Sequence, residues 1–224
     1  MSLILNIDTA VDKASVCLAK DGEMLQFAVN ETQKDHASWL HTIIATILKK
    51  NKSLITDLNA VAVSIGPGSY TGLRVGLSSA KGLCYALNIP LITIGTLEMI
   101  AFAAKEEDTD LICPMIDARR MEVFTAVYDK TLHQIRAPHA MVVDKNSFAS
   151  LLLSGKILFC GNGCKKLQTI ILSKNAMFSP LQGNADHLAS LSFNYFLKNE
   201  FADLAYSGPL YIKEFYFPVR EPLA

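Results

Sequence analysis

Two aspartates sit where catalytic carboxylates commonly stand, because Asp8 closes the apolar run Leu3 to Ile7 and Asp117 closes the apolar run Ile112 to Ile116. At the ends of equivalent strands, the two carboxylates would face each other across a cleft. In a two-lobed site that handles ATP, such a pair positions Mg²⁺ and an attacking water, and the turn after each needs glycine so that the backbone can cradle phosphate. Here Asp8 is followed by Thr9-Ala10 and Asp117 by Ala118-Arg119-Arg120, with no glycine in either turn. Arginine where phosphate should meet bare backbone marks Asp8, Asp117 and Arg119 as a vestigial, closed cleft; the alternative is that arginine binds an anion directly.

A second unusual segment, Gly66-Pro67-Gly68-Ser69-Tyr70-Thr71-Gly72-Leu73-Arg74, follows an apolar strand and precedes a helix. Its glycines permit close backbone approach, and the helix start offers free N–H groups to an anion. The spacing fits no common phosphate fingerprint: a dinucleotide loop needs glycine where Thr71 stands, and a P-loop needs Lys and Ser or Thr where Leu73-Arg74 stand. A tight turn capped by Ser69 or Thr71 is the competing reading. Ser69 also lacks the Gly-x-Ser-x-Gly setting of a hydrolase nucleophile. Metal ligation is equally poorly supported. His36 and His41 stand five apart rather than four, position 40 being Leu40, and Cys160-x-x-x-Cys164 has no second pair to complete four ligands.

The elements that carry these residues follow from periodicity. Leu3 to Ile7, Ser15 to Ala19 and Met24 to Val29 read as a three-stranded meander with a tight turn at Asp21-Gly22. Ala37 to Lys50, with Leu40, Ile43, Ile44, Ile47 and Leu48, reads as an amphipathic helix, and so does Thr71 to Leu87. Ala60 to Ile65 and Leu91 to Ile94 are buried-type strands, after which Thr96 is expected to cap a helix. The second half repeats this order, ending in the strand Ile157 to Cys160, the turn Gly161-Asn162-Gly163 and a further helix. The two aspartates lie 109 residues apart (117 − 8), close to half of the 224-residue chain. A duplicated α/β unit follows, with lobes 1–108 and 109–224 and a tail 214–224 that either packs on a lobe or partner or stays mobile.

Within the helix 71–87, Gly72, Gly76 and Ala80 recur at four-residue intervals and leave one face nearly bare. Glycine inside a helix costs about 1 kcal/mol relative to alanine, and close approach by another helix would offset it. That helix is either 37–50 of the same chain or one from a partner. On the second alternative, Gly76→Leu abolishes pairing and leaves the monomer folded.

Composition bounds the function. The 21 Lys plus Arg balance 21 Asp plus Glu, which argues against independent capture of nucleic acid, and 50% hydrophobic content suits a folded protein with a large core. The windows Leu58 to Leu73 and Gly82 to Leu97 are uncharged but broken by Gly and Pro, and the opening residues lack a basic region, so neither a membrane span nor a signal peptide is expected. Five cysteines in apolar runs suit free buried thiols in a reducing cytoplasm.

Several of these stretches together resemble the TsaB (YeaZ) family of bacterial tRNA threonylcarbamoyladenosine biosynthesis proteins: Ile4-Leu5-Asn6-Ile7-Asp8-Thr9-Ala10, Gly66 to Gly76, Met115-Ile116-Asp117-Ala118-Arg119 with Glu122-Val123-Phe124, and Pro209-Leu210-Tyr211-Ile212-Lys213. Relatives often carry Tyr-Leu-Arg where this chain has Tyr211-Ile212-Lys213. The resemblance implies an actin-like, Hsp70-like two-lobe fold and a non-catalytic paralogue of TsaD. It implies that metal and ATP reside on TsaD, His36 with Leu40 being what remains of a His-x-x-x-His metal motif. It also implies pairing with TsaD through the first two helices, the ATPase TsaE joining, a homodimer through much the same surface when alone, and tRNA contact only through the complex. On that reading His36, Leu40, Ile44, Ile47, Gly72, Leu73, Gly76, Leu77 and Ala80 form the partner interface, with Arg74, Arg119 and Arg120 left open as tRNA contacts. The rival activities are a glycoprotease-like peptidase and a small-molecule kinase of the same fold.

Overall fold

The computed structural model describes residues 1–32 and 36–213, with the side chain of His36 left aside; the tail 214–224 and the expected interface role of the His36 side chain lie outside it. The first lobe runs β1 (Leu3–Asp8), β2 (Ser15–Lys20), β3 (Glu23–Val29), α1 (His36–Lys50), β4 (Ala60–Ser64), α2 (Tyr70–Leu87), β5 (Leu91–Ile94) and α3 (Thr96–Ala103). The chain continues as β6 (Leu111–Asp117), β7 (Glu122–Asp129), β8 (Gln134–Val142), α4 (Ala149–Ser154), β9 (Ile157–Cys160), α5 (Lys165–Gln168), β10 (Ala176–Phe178) and α6 (Ala185–Leu197). The sheets are ordered β3-β2-β1-β4-β5 and β8-β7-β6-β9-β10, so each has an antiparallel meander flanked by two parallel strands. The duplicated α/β fold expected from the sequence is therefore present, and β1 and β6, which end in Asp8 and Asp117, hold equivalent central places.

Alternation along the central strands divides the core. On one face of the first sheet, Leu5, Ile7, Val61 and Val63 pack with Leu40, Ile47 and Leu77 of α1 and α2; on the other, Ile4, Ala62 and Ile92 pack with Leu188 and Leu191 of α6. In the second sheet Met115 and Phe159 meet Leu152 and Leu167, while Ile112, Ile116 and Leu158 meet Leu97 and Ile100 of α3. All five cysteines are free and buried.

Three expectations need correction. The division at 108/109 does not describe the packing, because α6 crosses back to the first sheet. Ser192 Oγ donates to Asn6 Oδ1 at 2.7 Å, Ser15 Oγ accepts from Ala185 N at 2.9 Å, and the chain beyond α6 stays on that lobe through Ala202 N to Leu91 O and Leu210 N to Ile65 O. The outer face of the first sheet is apolar and needs a helix, and the chain supplies it some 180 residues later.

Second, the small-residue stripe faces inward. A Cβ on Gly72 would lie 2.0 Å from the Thr9 carbonyl oxygen, and one on Gly76 would lie 2.2 Å from Thr9 Oγ1. Leu40, Ile44, Ile47, Leu73, Leu77 and Ala80 are buried in the same interior. They belong to the core, Ile44 also lining an apolar groove on the outside of α1, and Gly76→Leu would disrupt the monomer itself. The close neighbour that offsets the helical glycines is the turn after β1, where Thr9 Oγ1 donates to Gly72 O at 2.7 Å.

Third, Gly95 and not Thr96 occupies the cap position of α3. Thr96 instead pins the glycine segment, its Oγ1 accepting from Gly66 N at 3.1 Å and its N donating to Gly66 O at 2.8 Å.

Candidate functional site

Between the lobes lies a cleft of about 450 Å³. Ala10, Val11 and Asp12 line it from the turn after β1, Gly68 to Thr71 from the start of α2, and Ile116, Asp117, Arg119, Phe124 and Asn162 from the second lobe. The glycine segment and Asp117 with Arg119 are thus brought together. Of the two possible caps, Ser69 does the capping: its Oγ accepts from Gly72 N at 3.2 Å, while Ser69 N is spent on Ala10 O at 2.6 Å. Gly66 has a φ of 119° and Pro67 follows it through a cis bond, a backbone path closed to residues with a side chain at position 66, where the Leu210 carbonyl lies 2.6 Å from a would-be Cβ.

Asp8 does not face Asp117. It is fully buried behind the turn, with Oδ1 accepting from Ser64 Oγ at 2.5 Å and from Ala10 N at 3.1 Å, and Oδ2 without a partner among the described residues. Burial pushes its carboxyl up to about 6, the bonds from Ser64 and Ala10 opposing the rise only in part.

Asp117 does reach the cleft, but its charge is engaged. Lys166 Nζ lies 2.7 Å from its Oδ1, Arg119 N donates to the same oxygen at 2.6 Å, and Asp117 N donates to Asn162 Oδ1. Lys166 is held in place by the Glu122 carbonyl at 2.7 Å. Partial burial raises the Asp117 carboxyl, yet the Lys166 bond, the Arg119 N–H and the two cationic charges outweigh it and hold the group below its ordinary range. Lys166→Gln is therefore expected to move the Asp117 titration upward, read by carboxyl-carbon NMR; an unmoved titration would show that Lys166 does not neutralise it. Lys166 was not legible as a site residue, since its only sequence signal is a lysine three places past the Gly161-Asn162-Gly163 turn.

An actin-like fold implies a metal-held nucleotide here, and the residues present do not fit one. One carboxylate is shut away from the cleft and the other carries an ammonium group where a divalent ion would bind. Arg119 and Arg120 form the β6–β7 turn with φ of 69° and 48°, and Arg119 lines the cleft from it. Among the described residues no three His, Cys, Asp or Glu side chains gather as a metal site.

The outward side of α1 and α2 forms a second feature. A shallow apolar groove of about 380 Å³ lies along α1, bordered by His41, Ile44, Ala45, Lys49, Leu54 and Ile55, with Leu83 of α2. Gly82 opens onto solvent with nothing near its would-be Cβ, and Tyr85 is 83% exposed.

Two equivalent sheets facing each other across a cleft, each ending its central strand in aspartate, define an actin-like two-lobed fold. The chain belongs to the family described as TsaD: tRNA N6-adenosine threonylcarbamoyltransferase, whose model matches residues 29–210. It is similar to the tRNA threonylcarbamoyladenosine biosynthesis protein TsaB of Bacillus subtilis, at 33% identity over 56% of this chain and 54% of that one. It is likewise similar to TsaB of Escherichia coli, at 35% identity over 57% and 55% of the respective chains. In these matches the chain spans about half the length of the curated relatives. YeaZ from Pseudomonas aeruginosa has the same fold, with a TM-score of 0.83 over 94% of this chain and all of that one at 23% identity. No helix among the described residues is long and apolar enough to cross a membrane.

Proposed function

We propose that the chain is a non-catalytic subunit in threonylcarbamoylation of the adenosine beside the anticodon of tRNAs reading codons that begin with A. It acts by docking a TsaD paralogue, which holds the metal and ATP, with TsaE joining the assembly, tRNA engaged through the complex, and the whole working in the cytoplasm. The chain itself needs no cofactor. The observation that carries this reading is the Lys166–Asp117 pair opposite a buried Asp8, an arrangement that leaves neither strand-end aspartate free for hydrolysis or phosphoryl transfer, Asp12 being a further carboxylate at the cleft. Family membership and the TsaB relatives support the pathway.

The docking surface is the outward side of α1 and α2, not the buried stripe. Gly82→Trp, which fills open space, is expected to abolish co-purification with TsaD while leaving the circular dichroism and melting of the monomer unchanged. Retained co-purification would move the interface elsewhere. The rival activities are tested by measuring zinc content, ATP turnover and peptide hydrolysis with and without TsaD; turnover by this chain alone would overturn the scaffold reading in favour of a kinase or peptidase.

A further inference from the structure

We propose that the segment after α6, residues 198–213, is a clasp that holds the two lobes closed at the cleft, taking the place of a bound ligand as the group that sets the angle between them. In two-lobed proteins, hinge closure is commonly driven by a ligand that touches both walls. The cleft described above does not fit a metal-held nucleotide, and on that reading the chain's own end makes the bridge. The clasp also gives a role to the stretch Pro209-Leu210-Tyr211-Ile212-Lys213, which docking through α1 and α2 leaves unused.

The clasp is seated on the first lobe. Ala202 N donates to Leu91 O at 2.8 Å, and Lys81 Nζ of α2 donates to the carbonyls of Ala205 and Ser207 at 3.1 and 3.0 Å. Leu210 N then donates to Ile65 O at 2.7 Å, and the Leu210 carbonyl takes the space that a side chain at Gly66 would fill. The Tyr211 ring follows, with its centroid 5.1 Å from that of Tyr70, a residue of the cleft wall. The Tyr211 hydroxyl accepts from Arg74 Nε at 3.0 Å, while the Arg74 guanidinium sits 3.8 Å above the Tyr70 ring. Two rings and a cation make a stiff anchor, because moving Tyr211 breaks the ring contact and the Arg74 bond together.

At Lys213 the segment reaches the second lobe. Lys213 Nζ pairs with the carboxylate of Glu122 on β7, two residues along the strand from Phe124, which lines the opposite wall. Among the described residues no other ion pair runs from this segment to the second lobe. Glu122 is itself fixed from its backbone, because its carbonyl accepts from Lys166 Nζ, the ammonium that holds Asp117. The lobes also meet through apolar packing, in which Leu97 and Ile100 of α3, with Val11, lie against Ile116. Apolar packing has no preferred direction and lets the lobes turn, whereas an ion pair at the end of a seated strap limits how far they turn. The Lys213 side chain is 49% exposed, so the pair is a modest contact, able to release.

The test reads the distance between the lobes of the full chain by double electron–electron resonance, with spin labels on Lys20→Cys and Lys145→Cys, exposed positions on the first and second lobes. The five native cysteines are buried and do not compete for the label in the folded protein. Without any nucleotide, the parent is expected to give one narrow distribution. Lys213→Ala is expected to raise the fraction at altered distances about twofold to fivefold, and Lys213→Arg, which keeps the charge, to leave the parent distribution. Tyr211→Ala, which removes the anchor, is expected to act like Lys213→Ala, and about 1 M NaCl to loosen the parent in the same direction. A distribution that Lys213→Ala and salt both leave unmoved would overturn the clasp while leaving the reading of the cleft intact. A parent distribution that is broad and narrows only on addition of ATP with Mg²⁺ would return closure to a ligand, and would overturn the reading of the cleft together with the clasp.

Discussion

Gly76→Ala is expected to destabilise the folded chain by about 3 kcal/mol, whereas Gly82→Ala on the same helix is expected to stabilise it by about 0.5–1 kcal/mol. Helix propensity favours alanine equally at both positions, so the difference isolates what each face touches. At Gly76 the new methyl would lie 2.2 Å from Thr9 Oγ1 and 3.5 Å from Val63 Cγ2, and relief requires moving either the turn after β1 or the helix off the sheet. Moving the turn also breaks the Thr9 hydroxyl bond to Gly72 O. At Gly82 nothing lies within 4 Å, and the substitution only reduces the freedom of the unfolded chain. Urea unfolding of the two single variants settles the matter. Equal and small effects would mean that α2 is not pressed against Thr9 as described.

That contrast also marks what was legible in the sequence. The period of Leu40, Ile44 and Ile47, and of Gly72, Gly76 and Ala80, identifies one face of each helix, but a period names a face without naming what covers it. A partner helix and the chain's own strand leave the same stripe. The repeated strand endings were legible because Asp8 and Asp117 interrupt apolar runs at matching places in two halves, and the sheet orders agree. The return of α6 was not, since Ala185 N meets Ser15 Oγ across 170 residues and nothing local in 185–197 announces which sheet it will cover.

The turns beside the two aspartates were legible in the sequence, but the partners of their carboxylates were not. Missing glycines after Asp8 and Asp117 indicated that phosphate had lost its cradle. The structure shows those partners: Lys166 reaches Asp117 from α5, and Ser64 holds Asp8 from 56 residues away. Both contacts are tertiary, and neither lysine nor serine is unusual at its place in the chain.

Asp8→Asn is expected to raise stability at pH 7.5 by about 2 kcal/mol, with the gain shrinking as the pH falls below 6. The sign follows from burial. The native carboxyl titrates at about 6 against 3.8 for an ordinary aspartate, so the folded state binds the proton more tightly than the unfolded one. The stabilising contribution of protonated Asp8 is fully present below pH 3.8 and is lost as pH rises through about 6, where the buried side chain must carry a charge with one oxygen unpartnered. Asparagine keeps the oxygen that accepts from Ser64 and Ala10 and removes the charge; its amide meets the same unpartnered position, which keeps the gain below the full cost of ionisation, about 3 kcal/mol. Urea unfolding of both proteins between pH 4.5 and 8, on a scale set by the roughly 1.4 kcal/mol of each pK unit, reads this difference directly. A gap that stays constant across that range would mean that Asp8 ionises as freely in the folded chain as in water, and its burial behind the turn would then have no electrostatic consequence.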